Sequence, residues 1–433
     1  MILIKTVNFR TLGCRLNHAE SDALQFELQQ RGYLIVGRKQ TADLTIINSC
    51  AVTRQAEAKT RGAVAAARRI SPRGKIAVIG CYVQLDPATV AGLDGVNLVL
   101  DNSEKYRLLN YIDQLEQERC SIHVASTIEE NTFSPAGIIA KGSGTRAHLK
   151  IQDGCDYRCV YCIVPFLRGP SRGRDFHACI AEAVRLKEQG FREIVLTGVN
   201  LGSYRNGAYG LDDLVAALLQ ESSIERLRLS SIEPDLVSDR LIEMMQTESR
   251  LCRHLHIPLQ HGSDAILHRM GRRYRTARFI ELAGKITQKI PSVCIGTDVM
   301  VGFPGEDETC FREMVGLLER LPIAYLHVFR YSPRPGTAAA RLEDSVPDKV
   351  KKERSVWLRE LGERKRHHFL RRFIGQDLAV LYEKKTKLGL YRGLSDNYIT
   401  VNVKSDPQII NQIKTARVTH IQAAEAFGEL IDG

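Results

Sequence analysis

The sequence predicts an α/β protein in three consecutive parts: an open parallel α/β sheet over residues 1–140, a partial (β/α)6 barrel over 141–370 and a small antiparallel β-barrel over 371–433. Three observations predict it. Strand-like and helix-like stretches alternate with short links through the first two parts, the pattern of parallel sheets. The stretch from Cys120 to Thr145 between them has no periodicity and ends in KGSGTR, which reads as a linker. The last part has short strands with no helix between them.

In the first part, TVNFRTLG runs into Cys14, DLTIINS into Cys50 and KIAVIG into Cys81. Helical readings lie between: His18 to Gln30, with Leu24 and Leu28 on one face, and Arg54 to Arg69, rich in Ala and Arg. Ligands of parallel open sheets bind beyond the carboxyl ends of the strands, so three cysteines at those ends converge although distant in sequence. Gly13 and Gly80 let the backbone turn tightly around a bulky inorganic ligand. Any one of these cysteines reads equally well as a small buried apolar residue. All three together argue for a three-thiolate cluster.

In the central part AHLKIQ, REIVLTG, RLRLSS, HLHIPL, VCIGTDVMV and AYLHVF are strands, separated by helices such as Ile180 to Gln189 and Asp213 to Leu219. Working groups in such barrels sit on the loops after the strands. The loop after the first strand is GCDYRCVYCIVPFLR, with Cys155, Cys159 and Cys162 in the spacing C-x₃-C-x₂-C. Three such thiolates can hold three irons of a cubane and leave the fourth open to chelate a small molecule and pass it an electron. The competing readings are a zinc site with a distant fourth ligand, or three unrelated core cysteines. His256, alternating with apolar neighbours, reads as packed or hydrogen-bonded rather than metal-ligating. Cys120, Cys179, Cys252, Cys294 and Cys310 follow no ligand spacing and read as structural.

In the last part, a helix after Pro347 places Val350, Trp357, Leu361 and Phe369 on one face, with Lys351, Lys352, Arg364, Lys365, Arg366, Arg371 and Arg372 on the others. It leads into DLAVLYEK, LGLYRGLS, NYITVNV and ARVTHIQ, read as a small barrel. Small barrels with a basic flank bind RNA through charge and through aromatics, here Tyr382, Tyr391 and Tyr398. The formal charge of +11 also suggests a polyanionic partner. No apolar run is long enough to cross a bilayer and the first residues lack a cleavage signature, so no membrane partner and a cytoplasmic location are expected. Eleven cysteines in that compartment point to metal rather than disulfides.

These blocks carry a family resemblance. GCDYRCVYCIVPFLR is similar to the cluster loop of the radical S-adenosylmethionine enzymes, with Tyr161 at the aromatic position before the last cysteine. TLGCRLNHAESD, INSCAVTRQAEAKTR and VIGCYVQ resemble the three cysteine motifs of the methylthiotransferases, VGFPGEDE and YSPRPGTAAA are loop blocks of the same family, and the last part resembles their TRAM module. HLHIPLQHGSDAILHRMGRRY departs from the family by carrying His261 where Ser is usual. KIQDGCDYRCVYCIVP, VLTG and RLSSIEP are most similar to the threonylcarbamoyladenosine branch.

The resemblance implies two [4Fe–4S] clusters, one on Cys14, Cys50 and Cys81 and one on Cys155, Cys159 and Cys162, with S-adenosylmethionine on the open iron of the second. It makes Tyr161, Gly198, Asn200 and Glu233 candidate contacts of that cofactor, Gly198 and Glu233 reading equally well as a turn residue and a helix-start residue. It implies a radical reaction that puts a methylthio group on adenine carbon two beside the tRNA anticodon, served by an external one-electron reductant and a sulfur source. Because radical, base and sulfur meet in one pocket, the two trios are expected across a shared cavity. The alternatives are the same chemistry on isopentenyladenosine tRNA or on a ribosomal protein aspartate, and, more distantly, a non-catalytic iron–sulfur RNA-binding protein.

Overall fold

The structure, a computed structural model, describes residues 4–112, 115, 120–125, 133, 145–406 and 408–431. The boundary drawn at 140/141 lies outside the described residues, as do residues 126–132 and 134–144 of the linker, while its start, Ser121–His123, is instead a strand of the first sheet.

Six parallel strands form the amino-terminal sheet: β1 (Thr6–Thr11), β2 (Leu34–Val36), β3 (Leu44–Ser49), β4 (Lys75–Gly80), β5 (Val96–Leu100) and β6 (Ser121–His123). Their order is β2-β1-β3-β4-β5-β6. β3 is buried at every residue, as a central parallel strand covered on both faces must be. Helix α1 (Arg15–Gln30) follows β1 and starts three residues earlier than its periodicity suggests, directly after Cys14. Helix α2 (Arg54–Ile70) follows β3; the Thr53 side chain accepts from the Ala56 amide, Glu57 sits in the first turn and Arg68 and Arg69 in the last, all favourable to the helix dipole. The strand order reverses between β1 and β3, the switch point at which sheets of this order open a crevice beyond the strand ends.

The central strands are β7 (Arg146–Lys150), β8 (Glu193–Thr197), β9 (Arg226–Leu229), β10 (His254–His256), β11 (Cys294–Val301) and β12 (Tyr325–Arg330). They form two parallel three-stranded sheets, β9-β8-β7 and β10-β11-β12. The bridges Leu227–Leu251 and Ser231–His256 join the two sheets into a six-stranded partial barrel. One face of these strands, including Leu149, Leu196, Leu229, Leu255 and Val299, packs in the core shared with the surrounding helices. Strand alternation turns the other residues inward, so the lumen is lined by Arg146, Lys150, Glu193, Arg228, His256, Asp298 and His327 and is polar, unlike the apolar layers that fill closed barrels.

The barrel is open between β7 and β12, and the amino-terminal part occupies that opening. Helix α1 lies against β7. Glu57 of α2 pairs with Arg334, and the Arg54 amide donates to Ser332 Oγ (3.4 Å), both just beyond β12.

Five carboxyl-terminal strands close a barrel: β13 (Asp377–Lys385), β14 (Tyr391–Ser395), β15 (Thr400–Val403), β16 (Ile413–Gln422) and β17 (Glu425–Leu430). The sequence showed only four, because EAFGEL, with its glycine and two glutamates, is a weak strand signal. The β15–β17 pair is parallel and the other four pairs antiparallel. Two expectations are corrected. Tyr382 and Tyr391 are buried in the barrel core and present no ring to RNA. Tyr398, at φ 64°, turns into the floor of the central barrel, stacked on His254 at 4.1 Å. Its hydroxyl accepts from Arg15 Nη2 (2.6 Å) and its carbonyl from Arg366 Nη2 (2.9 Å), so one side chain ties all three parts together.

The helix before the barrel (Asp348–Arg371) buries Lys351 rather than solvating it, with its stem over Gly302 and its ammonium facing the Tyr331 ring. Lys352, Arg359, Arg364 and Arg371 on this helix remain exposed. Among the described residues no helix is long and apolar enough to cross a membrane.

Candidate active site

Cys14, Cys50 and Cys81 follow β1, β3 and β4, three adjacent strands flanking the switch point. Gly13 (φ +97°) and Gly80 (φ +96°) make the turns; a Cβ on Gly13 would lie 2.8 Å from Cys50 Cβ and 3.0 Å from its Sγ, so only glycine fits between the first two thiols. Burial pushes the Cys50 thiol up to about 12. The Cys14 thiol faces Asn17 Oδ1 at 3.7 Å, and Asn102 Nδ2 donates to Cys81 Sγ at 3.5 Å.

The second trio lies on the loop after β7. Gly154 (φ +71°) starts it, and a Cβ there would sit 1.8 Å from the Pro170 carbonyl oxygen. The Cys155 amide donates to the Gly169 carbonyl (3.1 Å) and Val160 to the Met270 carbonyl (3.0 Å), pinning the loop on both sides. Burial raises the Cys155 thiol to about 11 and Cys162 to about 12, and pushes Cys159 up as well. A metal must therefore displace the protons of Cys50, Cys155, Cys159 and Cys162 to bind.

Among the described residues the one set of three His, Cys, Asp or Glu ligand atoms all within 4.8 Å of one another is His256, Asp298 and His327. Neither cysteine trio closes that far. A zinc tetrahedron brings its thiolates to about 4 Å of one another, and the wider spacing of the trios suits the larger iron–sulfur cubane.

The trios share a wall. Ile163, next to Cys162, and Leu167 of the short helix Val164–Arg168 pack in one apolar cluster with Cys81, Tyr82 and Val83. Asn102, which touches Cys81, also donates to the Leu167 carbonyl (2.9 Å). Arg168, at the end of that helix, reaches into the amino-terminal part and donates to Asn17 Oδ1 (2.9 Å), Glu20 Oε1 (2.9 Å) and Asp153 Oδ1 (3.0 Å). Glu20, fully buried, also pairs with Lys105 (2.6 Å) and Lys150 (3.2 Å), and Lys150 with Asp153 (2.6 Å). Burial opposes the Glu20 carboxylate, but Arg168, Lys105 and Lys150 hold it well below the usual range. Three buried cations against two buried carboxylates leave a positive excess beside Cys14 and Cys81. A cubane on three thiolates is net anionic, so the excess fits a bound cluster.

The remaining predicted residues line the barrel next to the second trio. Tyr161 accepts from Arg272 Nη1 (3.4 Å), which also donates to Cys159 Sγ (3.2 Å). Arg272 pairs through its other nitrogen with Glu233, and burial, outweighing Arg272, raises that carboxyl to about 6. Gly198 lies against Gln152, which a Cβ would meet at 2.8 Å. Gln152 Nε2 donates to the Gly154 carbonyl (2.8 Å) and its Oε1 accepts the Asn200 amide (2.9 Å), clamping the end of β8 to the cluster loop. Asn200 Oδ1 is buried without a protein partner, an acceptor facing a polar ligand such as an ammonium group. Arg272, Arg168, Glu20, Asn17 and Asn102 went unread in the sequence, because a polar or charged residue shows its partner only after folding. His261 is buried between Glu306 (3.3 Å) and the Ser263 amide (3.0 Å), a structural role.

Residues 149–318 match the Radical SAM superfamily and residues 6–101 the Uncharacterized protein family UPF0004. The chain is 36% identical, over 95% of its length and 93% of the relative's, to "Threonylcarbamoyladenosine tRNA methylthiotransferase MtaB" of Bacillus subtilis. It is 32% identical, over 97% and 90%, to "tRNA-2-methylthio-N(6)-dimethylallyladenosine synthase" of Acetivibrio thermocellus. In fold it is similar to the radical S-adenosylmethionine methyltransferase TsrM from Kitasatospora setae, with a TM-score of 0.57 and 14% identity over 78% of this chain and 77% of that one.

Proposed function

The chain belongs to the radical S-adenosylmethionine methylthiotransferases that act on tRNA, and from that premise we propose that its substrate is N6-threonylcarbamoyladenosine beside the anticodon, methylthiolated at carbon two. The observation that carries the substrate is identity over nearly the full length: relatives named for threonylcarbamoyladenosine are 33 to 36% identical, those named for the dimethylallyl nucleoside 31 to 32%.

Cys155, Cys159 and Cys162 hold the cluster that binds S-adenosylmethionine, and Cys14, Cys50 and Cys81 hold the auxiliary one. When bound, these groups supply the radical chemistry and the sulfur that replace an unactivated C–H bond, which no side chain here can deprotonate. The chain's own residues orient and exclude. Asn200 and Glu233 accept hydrogen bonds from the cofactor's polar groups, Gly198 leaves room for it, and Tyr161 with Arg272 walls the second trio from water. Arg168 and Asn102 fix the distance between the trios by bonding across the wall they share. The carboxyl-terminal barrel and the exposed cations of the Asp348–Arg371 helix hold the tRNA backbone. An external one-electron reductant and a sulfur source serve the reaction, which takes place in the cytoplasm, and the functional parts are residues 1–140, 141–370 and 371–433.

Nucleoside analysis of tRNA from cells lacking the protein tests the substrate. Loss of the methylthio form of threonylcarbamoyladenosine, restored by the wild-type chain, is expected; loss of the isopentenyl counterpart instead overturns the assignment.

A further inference from the structure

One group on the lumen wall has no part in holding the clusters. His256, Asp298 and His327 stand on β10, β11 and β12, with Asp298 directly opposite His327 in the strand register. His256 Nε2 lies 2.9 Å and His327 Nδ1 3.3 Å from the same oxygen, Asp298 Oδ1. Behind them the Tyr325 hydroxyl lies 3.2 Å from His256 Nδ1 and 2.9 Å from His254 Nε2.

These side chains form one ladder of contacts. Burial, then Arg228 and Arg15, hold His254 neutral, and its Nδ1 is buried without a partner. His254 Nε2 and His256 Nδ1 both lie within hydrogen-bond distance of the Tyr325 hydroxyl, and His256 Nε2 lies against Asp298. Although burial opposes the charge, His256 and His327 hold Asp298 well below the usual carboxylate range. His327 has its ring nitrogen Nδ1 turned toward Asp298. Its Nε2 is left pointing away from Asp298.

The ladder opens toward the lumen. Side-chain exposure rises from 11% at His256 through 23% at Asp298 to 56% at His327. Two residues on along β12, and so on the same face, Phe329 is 43% exposed. A ring and an imidazole thus stand side by side at the exposed end of the lumen wall.

We propose that His327, set against Asp298 and backed by His256, is the specificity residue that reads the N6 substituent of the target adenosine, its Nε2 accepting a hydrogen bond from a hydroxyl or amide N–H of an amino-acid conjugate and excluding a hydrocarbon. The inference rests on the substrate reading above, since it needs an N6-modified adenosine in the lumen. A prenyl group against this wall buries His327 Nε2 and the outer Asp298 oxygen with nothing to bond. A site built to hydrogen-bond its ligand rejects the analogue that lacks the group far more strongly than an apolar pocket rejects an extra hydroxyl.

The test uses cluster-loaded full-length protein and anticodon stem-loops carrying either the threonylcarbamoyl or the isopentenyl adenosine, with anaerobic binding and single-turnover methylthiolation both read. Wild type prefers the threonylcarbamoyl stem-loop. His327→Phe narrows that preference about 3- to 10-fold, the effect of one lost neutral hydrogen bond. His327→Gln, whose amide oxygen accepts from nearly the same place, keeps most of it. S-adenosylmethionine cleavage without RNA is measured for each variant to normalise the amount of competent enzyme. Undiminished preference in His327→Phe overturns the role of His327 and leaves the substrate reading standing. Wild type that prefers the isopentenyl stem-loop overturns both. A stoichiometric zinc or manganese ion in wild type that His327→Phe lacks also overturns the proposal, assigning the three ligand atoms to a cation.

Discussion

Glu20 is the residue on which docking of the amino-terminal sheet into the barrel depends most, and its replacement by Gln gives a prediction of order as well as size. Glu20→Gln keeps the shape but leaves Lys105, Lys150 and Arg168 facing Asp153 alone. Breaking a buried ion pair on one side costs about 3–5 kcal/mol, so the cluster-free variant should lose that much. Arg168→Met deletes a cation instead, and the network becomes charge-balanced. It forfeits bonds to Asn17, Glu20 and Asp153 but strands no charge, so a loss of about 2–3 kcal/mol is expected. Loading the clusters should then act on the two variants in opposite directions. Arg168 Nη2 and Cys14 Sγ both touch Asn17 Oδ1, at 2.9 and 3.7 Å, so they lie within about 7 Å of each other. A unit charge at that distance, at an effective dielectric near 20, is worth about 2 kcal/mol. Cluster loading should therefore stabilise Glu20→Gln more than wild type, and Arg168→Met less. Anaerobic calorimetry of the cluster-free and loaded forms of all three proteins measures this. Equal stabilisation by loading in all three, or Arg168→Met falling below Glu20→Gln without clusters, refutes the charge-balance argument.

Further outcomes follow from the same geometry. Cys159→Ala should abolish reductive cleavage of S-adenosylmethionine, while Cys50→Ala keeps that cleavage and loses sulfur insertion; equal loss of both activities in a folded Cys50→Ala protein counts against separate roles. Gly154→Ala must relieve a 1.8 Å approach to the Pro170 carbonyl at a φ of +71°, so iron analysis should find the second trio's cluster missing and the auxiliary one retained. Burial raises Glu233 to about 6, so its carboxylate is protonated as pH falls through that value and stops accepting hydrogen bonds; affinity for S-adenosylmethionine, measured by anaerobic titration calorimetry, should fall between pH 7 and pH 5 in wild type and stay weak and flat in Glu233→Gln.

How much of this was legible beforehand depends on the range of the interaction. Cys155, Cys159 and Cys162 lie within one loop, and their spacing alone indicated an open-cornered cluster. The other three cysteines were legible because each ends a strand and parallel sheets bring strand ends together; the β1-β3-β4 adjacency then puts them side by side. Tyr382, Tyr391 and Tyr398 were misread because a tyrosine in an alternating strand looks the same whether its ring faces solvent or core. Strand β17 was missed for want of bulky residues, and the partner of a charged residue such as Arg168 or Arg272 is decided only by folding. The polar lumen was within reach of the sequence: the inward positions of RLRL, HLH and YLHVFR are Arg, His, Tyr and His, read by alternation alone.

A six-stranded partial barrel leaves an open side, and what fills it decides what the barrel can do. Here the filler is the sheet bearing the other thiol trio, joined to one rim through α1 and to the other through Glu57 and Arg334. Tyr398 closes the floor while bonded to Arg15, the residue after Cys14. The auxiliary trio is thus located by contacts that also complete the lumen wall, and a shift of the amino-terminal sheet moves the sulfur-bearing site and opens the lumen together. That coupling protects the chemistry: a radical formed before the auxiliary site is seated would meet solvent, and the same displacement that unseats the site also breaks the polar contacts of Arg168 with Asn17 and of Arg15 with Tyr398. Retention of radical formation with loss of sulfur transfer is therefore the expected signature of weakened docking, and Arg15→Ala, which touches neither trio's sulfurs, should raise the ratio of 5′-deoxyadenosine formed to nucleoside modified. An unchanged ratio would mean that the two sites are held in register by the wall around Ile163 and Leu167 alone.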